Sequence, residues 1–363
     1  MKYKLDMDLG KPVYVQLYEA LRNDITAGLF SYGAKLPSKR VLSEELGISL
    51  VTVEHAYALL CEEGYVCSRQ RSGFFACFRE EDGFSHPNEN ELPVPIPFSE
   101  HRENLHYPFS SLAKTMRRVL VEYGDLLLEK CPGKGDEGFR RELCRYLARS
   151  RGIQAAPHQI VVGSGAEYLY GLIVQLLGTD LCYALEDPCY EKIGSVYGVL
   201  GAKCEFLTLG KSGIESEALK KSRGNVLHVT PYRSFPSGVT ASASKKREYL
   251  HWAKSRNCVL VEDDFESEFT LSYKHEDTLY AMSGGENVIY VNSFSKTVSP
   301  SIRVGYMVLP EALVQTFENK LGFYSCTVPL YEQLVLKDLI AGGDFERHIN
   351  RVRRNLRRKK EEG

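Results

Sequence analysis

Long apolar runs are missing from this sequence, and so is an apolar leader behind Met1-Lys2-Tyr3-Lys4-Leu5-Asp6. No segment spans a bilayer and none has the core of a signal peptide, so a cytoplasmic protein without a membrane partner is expected. An excess of charge is missing too: 46 Lys and Arg face 47 Asp and Glu, a net charge of -1. Bulk electrostatics therefore announce no nucleic-acid partner, and a DNA reading has to rest on where charges sit. The ten cysteines lack the close repeated spacing of a zinc site; Cys61 and Cys67, or Cys182 and Cys189, stand too far apart. No metal is expected, and without a leader the thiols should be reduced. Internal repeats and low-complexity tracts are absent. What is present is ordinary globular composition, 43% hydrophobic and 26% charged over 363 residues, enough for two domains.

Three regions separate along the chain. Residues 1–78 are dense in helical pattern and close on a Gly-containing hairpin. Residues 79–105 are polar and Pro-rich (Pro87, Pro93, Pro95, Pro97), which predicts a linker. From 106 to 363, helical stretches such as Ser244–Lys254 alternate with short β-branched runs at Gln159–Val162, Leu181–Leu185, Cys204–Leu207, Val226–Val229, Cys258–Val261, Val288–Val291 and Val304–Leu309. Such runs read as buried parallel strands, and their rhythm predicts a doubly wound α/β domain with its site at the strands' carboxyl ends. Near the end, Phe345, Ile349, Val352 and Leu356 form one helical face, and the charge run around it (Arg351, Arg353, Arg354, Arg357, Arg358, Lys359 and Lys360) reads as a solvated face. That helix is expected to have nothing after it to pack against.

In the first region, Val13–Ala27 carries an apolar stripe of Tyr14, Leu17, Leu21 and Ile25. Ser38 should cap a short helix over Lys39–Leu46 that Gly47 ends; Ser49 should cap a second over Leu50–Glu63, stopped at Gly64. Two short helices around a Gly turn make a helix-turn-helix, a pattern that a small protein-contact domain would share. The strand–turn–strand that follows, with Arg69, Arg71 and Gly73, adds a wing and favours DNA. Thr52 and His55 are then candidates for base contacts at the start of the recognition helix, and Ser38 and Arg40 for phosphates. Arg69 and Arg71 on the wing would reach phosphates or the minor groove.

In the large region, Lys296 stands between small hydroxyl residues, Ser295 and Thr297, just past an apolar strand. A lysine held near cations or in a desolvated site loses its proton readily and suits a Schiff base. Ser293 and Arg303 can hold a phosphate. Asp263 ends another apolar strand, where a carboxylate would pair with a protonated pyridine nitrogen. Gly163-Ser164-Gly165-Ala166 joins a strand to a helix and offers backbone N–H groups to an anion. Tyr190, after Glu186-Asp187-Pro188, is placed to stack on a ring. Each element alone is commonplace; their conjunction in this order carries the argument.

The first region resembles the winged-helix domain of the GntR family, through Gly33, Leu36-Pro37-Ser38, Arg40, Leu42, Leu46-Gly47-Ile48-Ser49, Thr52-Val53, Ala56-Tyr57, Leu60, Glu63-Gly64-Tyr65 and Ser72-Gly73. It departs at Leu50, where that family usually has an Arg that contacts DNA. The second, from about Pro108 to Arg354, resembles the fold type I, aminotransferase-like domain of MocR-type regulators, a GntR subfamily. Arg151-Gly152-Ile153, Gln159-Ile160, Glu186-Asp187-Pro188 with Tyr190, Thr230-Pro231, Phe235-Pro236-Ser237-Gly238 and Glu346-Arg347-His348-Ile349 carry that likeness. It implies pyridoxal 5'-phosphate (PLP) on Lys296, Asp263 at the pyridine nitrogen and Arg303 at the phosphate. It also implies a head-to-tail homodimer. Phe265 stands where the family commonly has a Tyr that bonds the PLP phenolic oxygen, Arg233-Ser234 replaces His-Gln, and Asn292 replaces Gly. The family's following small domain, with its carboxylate-gripping Arg, is not found in this sequence.

The resulting expectation is a PLP-dependent, DNA-binding transcription regulator that senses an amine or amino acid by aldimine exchange at Lys296. Its aminotransferase-like domain is then vestigial. The alternatives are an active aminotransferase with an appended DNA-binding domain, and a regulator that keeps the PLP fold only as a dimerisation scaffold.

Overall fold

The computed structural model describes Tyr3, Leu5 and residues 10–69, 72–78, 107–270 and 277–362. The expected linker over 79–105 lies outside the described residues. The chain divides into two compact units, Met1–Ser99 and Glu100–Gly363.

In the first unit, helices α1 (Val13–Thr26), α2 (Lys39–Leu46) and α3 (Leu50–Glu62) precede a hairpin of β1 (Val66–Arg69) and β2 (Gly73–Ala76). The two antiparallel strands pair in register from Val66 with Ala76 to Arg69 with Gly73. The caps form as their chemistry requires: Ser38 Oγ accepts from the Val41 amide and Ser49 Oγ from the Thr52 amide. Gly47 ends α2 at φ 66°, a left-handed turn that a β-carbon would strain. Leu17, Leu21 and Ile25 of α1 bury against Val53, Ala56, Tyr57 and Leu60 of α3. The Tyr57 hydroxyl donates to the Pro37 carbonyl at 2.8 Å, which ties α3 to the chain entering α2.

The second unit is a sheet covered on both faces. Its strands are β3 (Ile160–Gly163), β4 (Cys182–Asp187), β5 (Lys203–Gly210), β6 (Gly213–Ile214), β7 (Val226–Val229), β8 (Val259–Asp263), β9 (Val288–Ser293) and β10 (Gly305–Val308). Their spatial order is β3-β10-β9-β8-β7-β4-β5-β6. The helices are α4 (Phe109–Tyr123), α5 (Glu137–Arg151), α6 (Ala166–Leu177), α7 (Glu191–Val199), α8 (Ser216–Lys221), α9 (Ala243–Arg256), α10 (Leu279–Met282), α11 (Glu311–Leu321), α12 (Leu330–Ala341) and α13 (Asp344–Glu362). Alternate strand residues feed opposite cores. Leu260, Tyr290 and Val308 pack on one side with α5, α12 and α13; Val261, Val291 and Met307 pack on the other with α6, α7 and α11.

Two expectations need correction. The last of the seven expected strands is not parallel: β10 runs antiparallel to both β9 and β3. The return from Ser293 to Gly305 is too short to carry a crossover helix, so the chain turns back. The charge run of α13 is not wholly solvated either: Arg353 is half-buried, and its Nε donates to the Glu268 carbonyl at 2.5 Å, while the apolar face of Phe345, Ile349 and Val352 is buried. All ten cysteines are free thiols, and among the described residues no His, Cys, Asp or Glu cluster could hold a metal. Among the described residues, no helix is long and apolar enough to cross a membrane.

Leu60 is fully buried in the small unit's core. Leu60→Ala should therefore cost about 2–5 kcal/mol by urea unfolding, a loss confined to the winged unit's transition.

Candidate functional site

The carboxyl ends of β8 and β9, the start of α6 and the loop after β7 converge on one cleft. It is lined by Ala166, Glu167, Tyr170, Tyr190, Thr230, Phe235, Asp263, Phe265, Ser293, Ser295, Lys296 and Arg303. Strand register explains the convergence: Asp263 stands beside Val291, two residues before Ser293, so both strands end at the same level. The sequence candidates Ala166, Tyr190, Asp263, Phe265, Ser293, Ser295, Lys296 and Arg303 all meet here. Ser164 and Gly165 do not line the cleft.

Asp263 is 3% exposed. The Tyr170 hydroxyl donates to its Oδ2, and His228 Nε2 lies 3.7 Å from the same oxygen. Oδ1 is buried and has no partner. Behind this group, Tyr197 Oη and His228 Nδ1 are 2.7 Å apart. Burial, then the charge of Asp263, holds the Tyr170 hydroxyl far above its ordinary range, so it remains a donor. The one open position on this carboxyl group is thus Oδ1, and Asp263 faces the cleft.

Lys296 is exposed to the cleft from a turn whose backbone is tied down. Phe294 N donates to the Val304 carbonyl at 2.8 Å, Val298 N to Phe294 at 2.9 Å, and Ser295 Oγ to Ile302 at 3.1 Å. At the other end of the cleft, Arg303 lies against the turn before α6. A β-carbon on Gly165 would come within 2.8 Å of the Arg303 guanidinium, and the backbone there has φ 91°, so only glycine fits. The backbone amides of this turn are partly used internally. Gly165 N donates to the Gly163 carbonyl at 2.8 Å and Ser164 N to Thr327 Oγ1 at 3.2 Å. The amides at the head of α6, from Ala166 onward, have no acceptor within the helix and could meet an anion.

Sequence reasoning missed Glu167 and Tyr170, and assigned Thr230 and Phe235 no role in the site. Residues 166 and 170 are one helical turn apart on α6, a spacing that could have revealed Tyr170. Glu167 pairs with Arg303 and, at 3.0 Å, with Lys192. Phe235 meets Tyr190 edge-on, centroids 6.1 Å apart. The loop bearing Thr230 and Phe235 is held from below by Glu186, which accepts from the Thr230 amide at 3.2 Å and the Ser234 hydroxyl at 2.6 Å. Asn292 is likewise engaged: its amide donates to Glu268 at 2.8 Å and to the Tyr290 hydroxyl at 3.0 Å.

In the winged unit, Ser38, Arg40, Ser49, His55 and Arg69 are exposed, while Thr52 and Gly73 are half-buried. Arg71 lies outside the described residues. The Ser49 and Thr52 hydroxyls are 2.8 Å apart and bond each other as well as the cap. His55 packs edge-on against Tyr14 at 5.6 Å, and the Arg69 guanidinium stacks over Phe75 at 4.6 Å. Two exposed apolar residues, Leu50 and Val51, begin α3.

The chain matches the model of bacterial regulatory proteins of the gntR family over residues 13–76, and that of aminotransferase class I and II over residues 102–359. It is similar to the uncharacterized HTH-type transcriptional regulator YdeL of Bacillus subtilis, 31% identical over 98% of this chain and 79% of that protein. The probable rhizopine catabolism regulatory protein MocR of Rhizobium meliloti is 28% identical over 96% of this chain and 76% of its own length. The HTH-type pyridoxine biosynthesis transcriptional regulator PdxR of Corynebacterium glutamicum is 27% identical over 95% and 76%. Among solved structures, the Pyrococcus horikoshii kynurenine aminotransferase, crystallised with PMP, superposes with a TM-score of 0.63 at 24% identity. That likeness covers 68% of this chain and 64% of the enzyme, so the chain spans less than two thirds of it.

Burial pushes the Glu186 carboxyl up to about 7. A carboxyl raised in the folded state adds stability that is complete below its unfolded value near 4.5 and is lost as pH rises through about 7. Glu186→Gln keeps an acceptor for Thr230 and Ser234 and abolishes the titration. The variant's unfolding free energy should fall less steeply than wild type's between pH 5 and 8, a difference of about 3 kcal/mol across the window. Parallel pH profiles would contradict this.

Proposed function

This chain belongs to the MocR-type subfamily of the GntR transcription regulators, and on that premise we propose that it senses an amine or amino acid in the Asp263–Lys296 cleft. The observation that carries this reading is the unpartnered, buried Oδ1 of Asp263 in the same cleft as an accessible lysine. A protonated pyridine nitrogen is the donor that oxygen lacks, so the residues fit PLP. Lys296 would hold its aldehyde carbon, Arg303, Ser293, Ser295 and the head of α6 its phosphate, and Tyr190 its ring face. When bound, the cofactor supplies an electrophilic carbon for which primary amines compete. Phe265 lines the cleft but has no hydroxyl to donate, so that side of the ring lacks the bond a Tyr would make.

We assign DNA reading to residues 1–78 and ligand holding to 106–363, with 79–105 connecting them. Arg40, Ser38 and Arg69, with Arg71, are assigned to the DNA backbone, and Thr52 and His55 to base edges, supported by Ser49 at the cap and Gly73 on the wing. Two copies would present two recognition helices to paired half-sites. Displacing the Lys296 amine changes what the cleft contains, and DNA affinity follows only if the ligand binds two conformations unequally.

With PLP, wild type should gain a visible absorbance band that borohydride abolishes while fixing the cofactor to Lys296, and Lys296→Ala should gain none. Amines should then shift both that band and affinity for a duplex selected from a random pool. A spectral shift with unchanged DNA affinity would break the coupling. Steady conversion of an amino acid with a 2-oxo acid would make the protein an enzyme instead. Arg40→Ala should weaken binding to all duplexes alike and lower the salt slope by about one.

A further inference from the structure

Glu167 sits where the cleft is most cationic. It opens α6 as the second residue of the helix, lines the cleft beside Ala166, and pairs with both Arg303 and Lys192. Burial pushes its carboxyl up, but hydrogen bonds from Lys192, its own backbone and Arg303 outweigh that and hold it below the ordinary carboxylate value. It is therefore ionised at neutral pH. Helix start, guanidinium and ammonium together form an anion site, and one anion is already there, supplied by the chain itself. A phosphate arriving at Arg303 meets this carboxylate at close range. Like charges so near each other disfavour joint occupancy. A β-carbon on Gly165 would come within 2.8 Å of the guanidinium, so Arg303 already lies close against this turn.

We propose that Glu167 is a built-in competitor for the phosphate subsite, so that a phosphate monoester binds only by drawing Arg303 and Lys192 away from it. The inference rests on the reading of this cleft as a phosphate-bearing cofactor site, and it adds that occupancy is weak and reversible by construction. The contrary possibility is that Glu167 merely aims Arg303 at the phosphate, in which case removing its charge weakens binding.

Full-length wild type and Glu167→Gln are titrated by calorimetry with inorganic phosphate, PLP and non-phosphorylated pyridoxal. The proposal requires affinity for phosphate and PLP to rise tenfold or more in the variant while affinity for pyridoxal is unchanged. Glu167→Ala should move the same way, and adding Arg303→Gln to either variant should erase the gain. Unchanged or weaker phosphate and PLP binding in Glu167→Gln overturns it, as does an equal gain for pyridoxal. The phosphate arm does not involve Lys296. Failure to form a lysine-borne absorbance band would therefore sink the cofactor reading while the phosphate titrations still decide the role of Glu167.

Discussion

A carboxyl group buried at the end of β8, with one oxygen satisfied and the other not, is the constraint on which this molecule's chemistry depends. Leaving a buried polar atom unpaired costs free energy, and folded proteins rarely tolerate it without cause. Here the surroundings are arranged to satisfy only Oδ2. Tyr170 comes from α6, and His228 comes from β7 with Tyr197 of α7 behind it. Three elements thus fix the orientation of one side chain, and the direction they leave open is the cleft.

The cleft, largely apolar along its walls, carries charged groups at its two ends. Cations gather at the head of α6, where Arg303 and Lys192 stand, and a carboxyl group closes the floor at Asp263. A second buried network stabilises the floor. Arg151 pairs with Asp264 at 2.5 Å, the Tyr290 hydroxyl donates to Asp264 at 2.7 Å, and Asn292 bridges Tyr290 to Glu268. Removing one member of such a network strands the others, so its value lies in completeness. Arg353 of α13 joins it at the Glu268 carbonyl, which ties the last helix to the strand ends that build the cleft.

Much of this was legible in the sequence where local chemistry decides structure. Seven of the eight strands of the large sheet announce themselves as short apolar runs, and Ser38, Gly47 and Ser49 mark helix ends because a hydroxyl or a missing β-carbon is needed at those positions. Lys296, Asp263 and Arg303 stand out because charged groups just past apolar strands need a reason. What stayed hidden was set by partners distant in sequence. The direction of β10 depends on which neighbours it joins. Glu167 and Arg303 are separated by 136 positions, Tyr170 and Asp263 by 93. The internal use of the Ser164 amide depends on Thr327, 163 residues away. The solvated reading of Arg353 failed for the same reason, since its acceptor is a main-chain carbonyl 85 residues earlier.

The short return from β9 to β10 has a mechanical consequence. Lys296 hangs from a loop braced between two adjacent strands, with main-chain bonds on either side of it. Its anchor is as stiff as the sheet, and the freedom left to it is that of a four-carbon tether. A ligand gripped by that tether would be felt first by the side chains crowding the cleft walls, because the loop that carries the lysine is braced at both ends.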